Sequence, residues 1–230
     1  DVRDTLDPKK NAAFEFCEAQ PFIALRDGKV VGRIVAIINH KANSVWNKKA
    51  VRFGWVDFID DVEVVDALFA TVEQWGRERG MTEAHGPLGF TDFDPEGMLV
   101  EGFDRIGTMA TIYNYPYYPV HLERMGYVKD VDWMEYLLTA PEALPEKHAR
   151  ITRIVKEKYG LRVVKYTSHS KLARERGVAI FELLNEAYAD LYGFSALSPK
   201  QIQQYINSYL PLLDLRLVPI IVDKNDNLIG

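Results

Sequence analysis

A chain of 230 residues with 47% hydrophobic and 27% charged side chains holds enough material for one or two folded domains, and its composition excludes disordered and fibrous classes. The net charge of −5, with its acidic excess ahead of residue 140, argues against a nucleic-acid partner, because phosphate neutralisation needs a basic surface. No apolar run approaches the roughly 20 residues of a membrane span, and the single cysteine, Cys17, excludes an internal disulfide and points to a reducing cytoplasm.

In chain order, residues 22–38 form two apolar strands around Asp27-Gly28, a pair that tolerates the positive φ of a tight hairpin turn. A polar stretch, 39–49, precedes a third strand at 51–59, whose Phe53, Trp55 and Phe58 imply burial. Asp60-Asp61 then opens a helix, with aspartate as N-cap and Glu63 in the first turn. Val62, Val65, Leu68, Phe69, Val72 and Trp75 recur along it at helical spacing, and Gly80 ends the run. A short strand is expected at 82–85, then a long irregular segment rich in Gly, Pro and aromatics over 86–119. A short helix at 120–125 closes at Gly126, and 133–138 reads as a last strand.

Two prolines interrupt 139–145, the best linker candidate, and a basic helix over 146–159 leads to Gly160. A strand at 161–166, an amphipathic helix through Ile180, Leu184 and Leu191, and a helix opened by Ser198-Pro199 follow. The chain then repeats itself. Pro219-Ile-Ile-Val-Asp-Lys-Asn-Asp-Asn-Leu-Ile-Gly230 matches the plan of Pro21-Phe-Ile-Ala-Leu-Arg-Asp-Gly-Lys-Val-Val-Gly32 position for position. Such long-range self-similarity points to two related units, the second cut just after its hairpin.

Strand-helix-helix-hairpin in the second half, then strand, helix, strand, helix, strand in the first, resembles the GCN5-related N-acetyltransferase (GNAT) superfamily. Leu122-Glu-Arg-Met-Gly-Tyr127 is similar to that family's Tyr-Glu-Lys-Leu-Gly-Phe signature. Asp7-Pro-Lys-Lys-Asn11, Glu101-Gly-Phe-Asp104 and Tyr113-Asn-Tyr-Pro-Tyr-Tyr-Pro119 resemble a group of large bacterial GNAT-like proteins. The resemblance implies an α/β fold with a mixed central sheet flanked by helices. It divides the chain into a GNAT-like domain at 1–138, a linker and basic helix at 139–160, and a truncated second GNAT-like domain in cis at 161–230. It also implies transfer of an acyl group from acetyl-CoA or another acyl-CoA to a small-molecule or lipid amine.

In that fold the pantetheine arm bonds the exposed backbone of a splayed strand, here Val56 and Phe58, and the diphosphate lies on the next helix N-terminus, here Asp61, Glu63 and Val64. Two departures stand out. Asp60-Asp-Val-Glu-Val-Val65 has three carboxylates and no glycine where the family has a glycine-rich loop, and Leu122 replaces the tyrosine that often serves as acid. A degenerate GNAT-like module that binds a ligand or a protein is therefore the alternative to an enzyme.

Tyr117 and Tyr118 lie one turn before that missing tyrosine and can protonate a leaving thiolate; packing of the loop is their ordinary alternative. Asn114 can bond the cofactor or cap a turn. His85 ends the strand beside the splayed one, where a base or a substrate contact belongs, although a lone histidine is commonly structural. Asp92, Asp94 and Glu96 recur at every second position of Asp92-Phe-Asp-Pro-Glu96, with Phe93 among them as a substrate contact; the carboxylates can orient a cationic amine, act as base, or form a solvated loop. They lack a full oxygen-ligand set, so no metal is expected. A segment of over 30 irregular residues with many aromatics reads as a binding loop.

Overall fold

The computed structural model describes residues 2–108 and 111–230. Its regular elements begin with a single turn, α1 (Val2–Thr5), and a 3-10 turn (Ala12–Glu15). Strands β1 (Cys17–Arg26) and β2 (Lys29–Asn39), a short helix α2 (His40–Val45), strand β3 (Ala50–Phe58), helix α3 (Val62–Arg77) and strand β4 (Glu83–His85) follow. After the loop come helices α4 (Tyr117–Arg124) and α5 (Glu146–Tyr159), strand β5 (Arg162–Val164), helices α6 (His169–Ala187) and α7 (Pro199–Tyr209), and strand β6 (Ile220–Val222). The chain divides into two compact units. One holds the residues up to Trp133 together with Tyr192–Ser195, and the other holds the rest.

The first unit is mixed α/β, a four-stranded sheet in the order β1-β2-β3-β4 flanked by helices. The first two pairings are antiparallel and β3–β4 is parallel. Asp27 and Gly28 turn the β1–β2 hairpin with φ of 50° and 75°, the left-handed values their types permit. Strand alternation divides β2 cleanly between two faces. Ile34, Ala36 and Ile38 meet Val65, Leu68, Phe69 and Val72 of α3, along with Phe53 and Phe58, whereas Val35 and Ile37 meet Ala13, Cys17 and Phe90. Asp61 caps α3 by accepting from Val64 N–H, as the Asp-Asp pair predicts.

Three expectations change. The polar stretch 39–49 contains α2, because the buried Asn39 side chain accepts from Ala42 N–H and so nucleates a turn. Helix α4 begins at Tyr117, three residues before its predicted start, with Tyr118 and His121 among its buried residues. Residues 133–138 form no strand: Tyr136, Leu137 and Leu138 are exposed, and none of the described strands pairs their backbone, without which an apolar run has no reason to stay extended.

In the second unit β5 pairs antiparallel with β6 over Tyr166, Leu172, Leu215, Ile220 and Val222. Ser198 and Gln201 form a reciprocal capping box at the start of α7. The second copy of the repeated segment does turn back: Ile229 N–H bonds Ile221 O at 2.8 Å, and Asp226 takes a φ of 68°. No helix among the described residues is long and apolar enough to cross a membrane.

Candidate functional site

The site is built where β3 and β4 part. The parallel ladder covers only Ala50–Glu83, Val51–Ala84 and Arg52–His85, and is extended by Leu88 N–H to Phe53 O at 2.9 Å. The chain leaves only past Leu88, while β3 runs on to Phe58. Two glycines let the backbones run this close before they part. A Cβ at Gly54 would lie 2.4 Å from Leu88 O, and one at Gly86 would lie 2.4 Å from Phe53 O. On its other side β3 carries a bulge, where the β2 register shifts between Arg33 and Val35 and Trp55 adopts a φ of 45°.

Beyond the bulge, the β4-facing edge of β3 lacks a strand partner among the described residues. Phe58 turns both backbone groups to that edge: Tyr117 O–H donates to Phe58 O at 2.8 Å, and Phe58 N–H donates to the Tyr118 hydroxyl oxygen at 3.3 Å. Alternation places the backbone of Val56 on the same edge. Tyr118 is buried, stacks on Phe58 with centroids 4.1 Å apart, and has its hydroxyl pushed up to about 12 by burial. Tyr117 stacks on Tyr115, and burial also raises its pKa. Leu122 is a core residue.

The turn that follows β3 is saturated from within. Arg26 holds Asp61 through two N–H···O bonds of 2.6 and 3.1 Å and reaches Glu63 at 3.0 Å. That guanidinium, with Val64 N–H, holds the Asp61 carboxyl down to about 2. His121 Nε2 pairs with Asp60 Oδ1 at 2.8 Å, while its buried Nδ1 has no hydrogen-bond partner among the described residues. The α3 N-terminus thus already carries its own anion. Asn114 is likewise committed: its amide clasps Leu99 N–H and C=O at 2.7 and 3.1 Å and Tyr115 O at 3.1 Å, pinning the middle of the loop to its C-terminal end.

On the other side of the departure point lies a buried charge cluster. Arg52, in the middle of an apolar strand and 7% exposed, donates to Gly89 O at 3.0 Å and to Gly193 O at 3.2 Å. Burial lowers its pKa, and the carboxylates of Asp92, Glu96 and Asp94 oppose that. Asp94 accepts from Phe90 N–H at 2.9 Å and Thr91 N–H at 3.1 Å, closing a tight turn over Gly89, yet burial lifts its carboxyl to about 6. Burial also raises Asp92. Glu96 rises furthest, to about 7, through burial and the neighbouring Asp92, and its carboxyl makes no hydrogen bond among the described residues. Phe93 is half-buried within the same turn. Three carboxyls face one guanidinium, so the cluster lacks positive charge.

His85 sits beside Arg52 in the ladder. Its Nε2 lies 2.6 Å from the Tyr192 hydroxyl, which also bonds Asp130, and Lys48 lies 3.7 Å from Asp130. Burial, then Lys48 and Arg52, lower its pKa to about 4, so the ring is neutral at pH 7. Burial and Asp130 raise the Tyr192 hydroxyl.

The structure therefore gathers Asp92, Asp94, Glu96 and His85 around Arg52. It assembles Val56, Phe58, Tyr117 and Tyr118 along the β3 edge, with Asp61, Glu63 and Val64 at the α3 N-terminus. Arg52 and Tyr192 escape a reading by motif. A lone arginine inside Val51-Arg52-Phe53 is a signal in itself, since a cation in a buried strand requires partners. Tyr192 carries no such signal, being 107 residues from His85 and in a turn between two helices.

Comparison with known proteins gives two relatives of this chain. The chain is 30% identical over 217 residues, 94% of its length and 56% of the relative's, to a protein of Caulobacter vibrioides named bacterial ceramide synthase. It is 30% identical over 190 residues, 80% of its length and 47% of the relative's, to protein YghO of Escherichia coli K12. The chain spans about half the length of the curated relatives it matches. No family model and no solved structure matches it.

Proposed function

We propose that this chain forms part of a GNAT-like acyltransferase that moves an acyl group from an acyl-CoA thioester to the nitrogen of an amine, with a lipid amine as the favoured acceptor. The observation that carries this reading is the parting of the two segments beyond Phe53 and Leu88, which leaves a β3 edge without a strand partner among the described residues, beside a buried acidic cluster. An extended acyl-CoA arm can add to such an edge by backbone hydrogen bonds at Val56, whereas at Phe58 it would have to displace the Tyr117 and Tyr118 hydroxyls that hold both backbone groups. The cluster's missing positive charge suits an incoming ammonium. The name of the Caulobacter relative supports the same chemistry, since a ceramide is an N-acylated amino-alcohol lipid.

In this reading Asp92 and Glu96 bind the ammonium, and Glu96 is the base. Its carboxyl, at about 7, is the group in the cluster whose ionisation lies nearest neutrality. The proton passes from nitrogen to Glu96, the nitrogen lone pair attacks the thioester carbonyl, the C–N bond forms and the C–S bond breaks. The departing thiolate takes a proton, for which Tyr117 is the nearer candidate because Tyr118 is packed away. His85, neutral and bound to Tyr192, serves as a hydrogen-bonding contact for the acceptor. Asp94 shapes the turn, and Asn114 holds the loop rather than the cofactor.

One observation favours the second reading, a module that binds a ligand or protein without turnover. The α3 N-terminus, where a CoA diphosphate would lie, is filled by Asp61 and its Arg26 partner. Calorimetry with acetyl-CoA and longer acyl-CoAs, joined to thiol release across a panel of amines, separates the two. Binding with release supports transfer, binding without release supports the module, and neither refutes the CoA assignment.

A further inference from the structure

Helix α5 (Glu146–Tyr159) buries none of its residues. At 100° per residue Ile151, Ile154, Val155 and Tyr159 fall on one face, with Lys147 and Lys158 along it. These four apolar side chains are 45%, 51%, 39% and 57% exposed. Isolated helices of about this length are marginal in water and draw their stability from burying an apolar face. Backbone bonds to Gly160, at φ 63°, close the C-terminal end, but no side chain caps the N-terminal end.

Charge selects the surface that fits. Lys147, Arg150, Arg153, Lys156 and Lys158 outnumber Glu146 and Glu157, so α5 is cationic within a chain of net charge −5. A cationic helix with an unburied apolar stripe needs one partner that is both apolar and anionic. The headgroup boundary of an anionic bilayer is both, and Lys147 and Lys158, which fall within the arc of the stripe, can lay their stems along it while their ammonium groups reach phosphate. Lys158 already lies over the Tyr159 ring at 5.1 Å, keeping its charge on the apolar side of the helix.

We propose that α5 docks the chain on anionic phospholipid membranes, lying in the plane of the interface with Ile151, Ile154, Val155 and Tyr159 directed into it. The inference stands independently of the acyl-transfer reading. It is tested by co-flotation of the whole chain with vesicles of phosphatidylcholine alone and of phosphatidylcholine mixed with phosphatidylglycerol. Binding is expected only to the anionic vesicles and falls as salt is raised. Removing one cation, as in Lys158→Ala, weakens it about fivefold, and Lys147→Ala with Lys158→Ala weakens it about twenty-five-fold. Ile151→Ser with Ile154→Ser abolishes it. Because the lysine variants leave the apolar stripe intact, they keep the test decisive if the serine pair loses helix by circular dichroism. Equal binding to both vesicle types, no binding to either, or no loss in the lysine variants overturns the proposal. So does a concentration-dependent rise in mass without vesicle binding, which would assign the stripe to a second copy.

Discussion

In a Glu96→Gln variant the carboxyl that burial and Asp92 push up to about 7 gives way to an amide of nearly the same shape that cannot ionise. The folded pKa lies above the ordinary value of 4.5, so the native state holds this proton more tightly than the unfolded chain does. Below pH 4.5 the group is protonated in both states and costs nothing. As pH rises from 4.5 through about 7 the wild type loses stability, and above that window the whole penalty is present. At 1.36 kcal/mol per pH unit the ceiling is about 3 kcal/mol, and solvent screening of this partly exposed carboxyl, with charge sharing among Asp92 and Asp94, brings the expected gain of the variant at pH 8 to about 1–2 kcal/mol. At pH 4 the variant and wild type should match within about 0.5 kcal/mol. Urea unfolding followed by tryptophan fluorescence measures this in the right place, because Trp46, Trp55, Trp75 and Trp133 all belong to the first unit. The same variant should lose acyl transfer by about 100-fold or more if Glu96 is the base. A variant no more stable than wild type at pH 8 would refute the assignment of a buried, proton-holding carboxyl. A stabilised variant with unchanged turnover would refute only its role as base.

Gly54→Ala should cost several kcal/mol and broaden the thermal transition, because its Cβ would meet Leu88 O at 2.4 Å and neither backbone can yield without opening the departure of β3 from β4. A melting temperature within about 2 °C of wild type would contradict this. Cys17 is buried, and burial pushes its thiol up to about 12, so Ellman's reagent at pH 8 should label it only after unfolding; rapid labelling of the native chain would refute the packing around it. Asp61→Asn removes the charge that fills the α3 N-terminus, and calorimetry should find acyl-CoA bound several-fold more tightly if the diphosphate uses that helix end. Unchanged affinity would place the diphosphate elsewhere.

Much of the fold is legible because local signals agree with the tertiary solution. The Asp-Gly turn, the apolar strands β2 and β3, the Asp61 cap and the 3.6-residue stripe of α3 each follow from backbone sterics and the need to bury apolar area. The Ser198-Pro199 helix start and the second tight turn follow likewise. Where local pattern and pairing disagree, pairing decides. Residues 133–138 have the apolar content of a strand but no edge to bond, whereas 39–49 look like a loop until Asn39 folds its amide over Ala42. The chemistry of the loop is half legible. Its acidic alternation is plain in Asp92, Asp94 and Glu96, but which of these carboxyls holds a proton depends on burial around Arg52.

By itself the sequence determined most of the strand and helix order, though neither α2 nor the fate of residues 133–138, together with the repeated hairpin, the long aromatic loop and the absence of a glycine-rich turn before α3. Only the tertiary structure decided where β3 leaves β4, that Tyr117 and Tyr118 cap Phe58, and that Arg26 closes the α3 N-terminus. It also brought Tyr192 to His85. The reason is physical. Turns, caps and periodicities are set by neighbours along the chain, whereas desolvation and charge pairing are set by whichever distant residues the fold brings within a few ångströms.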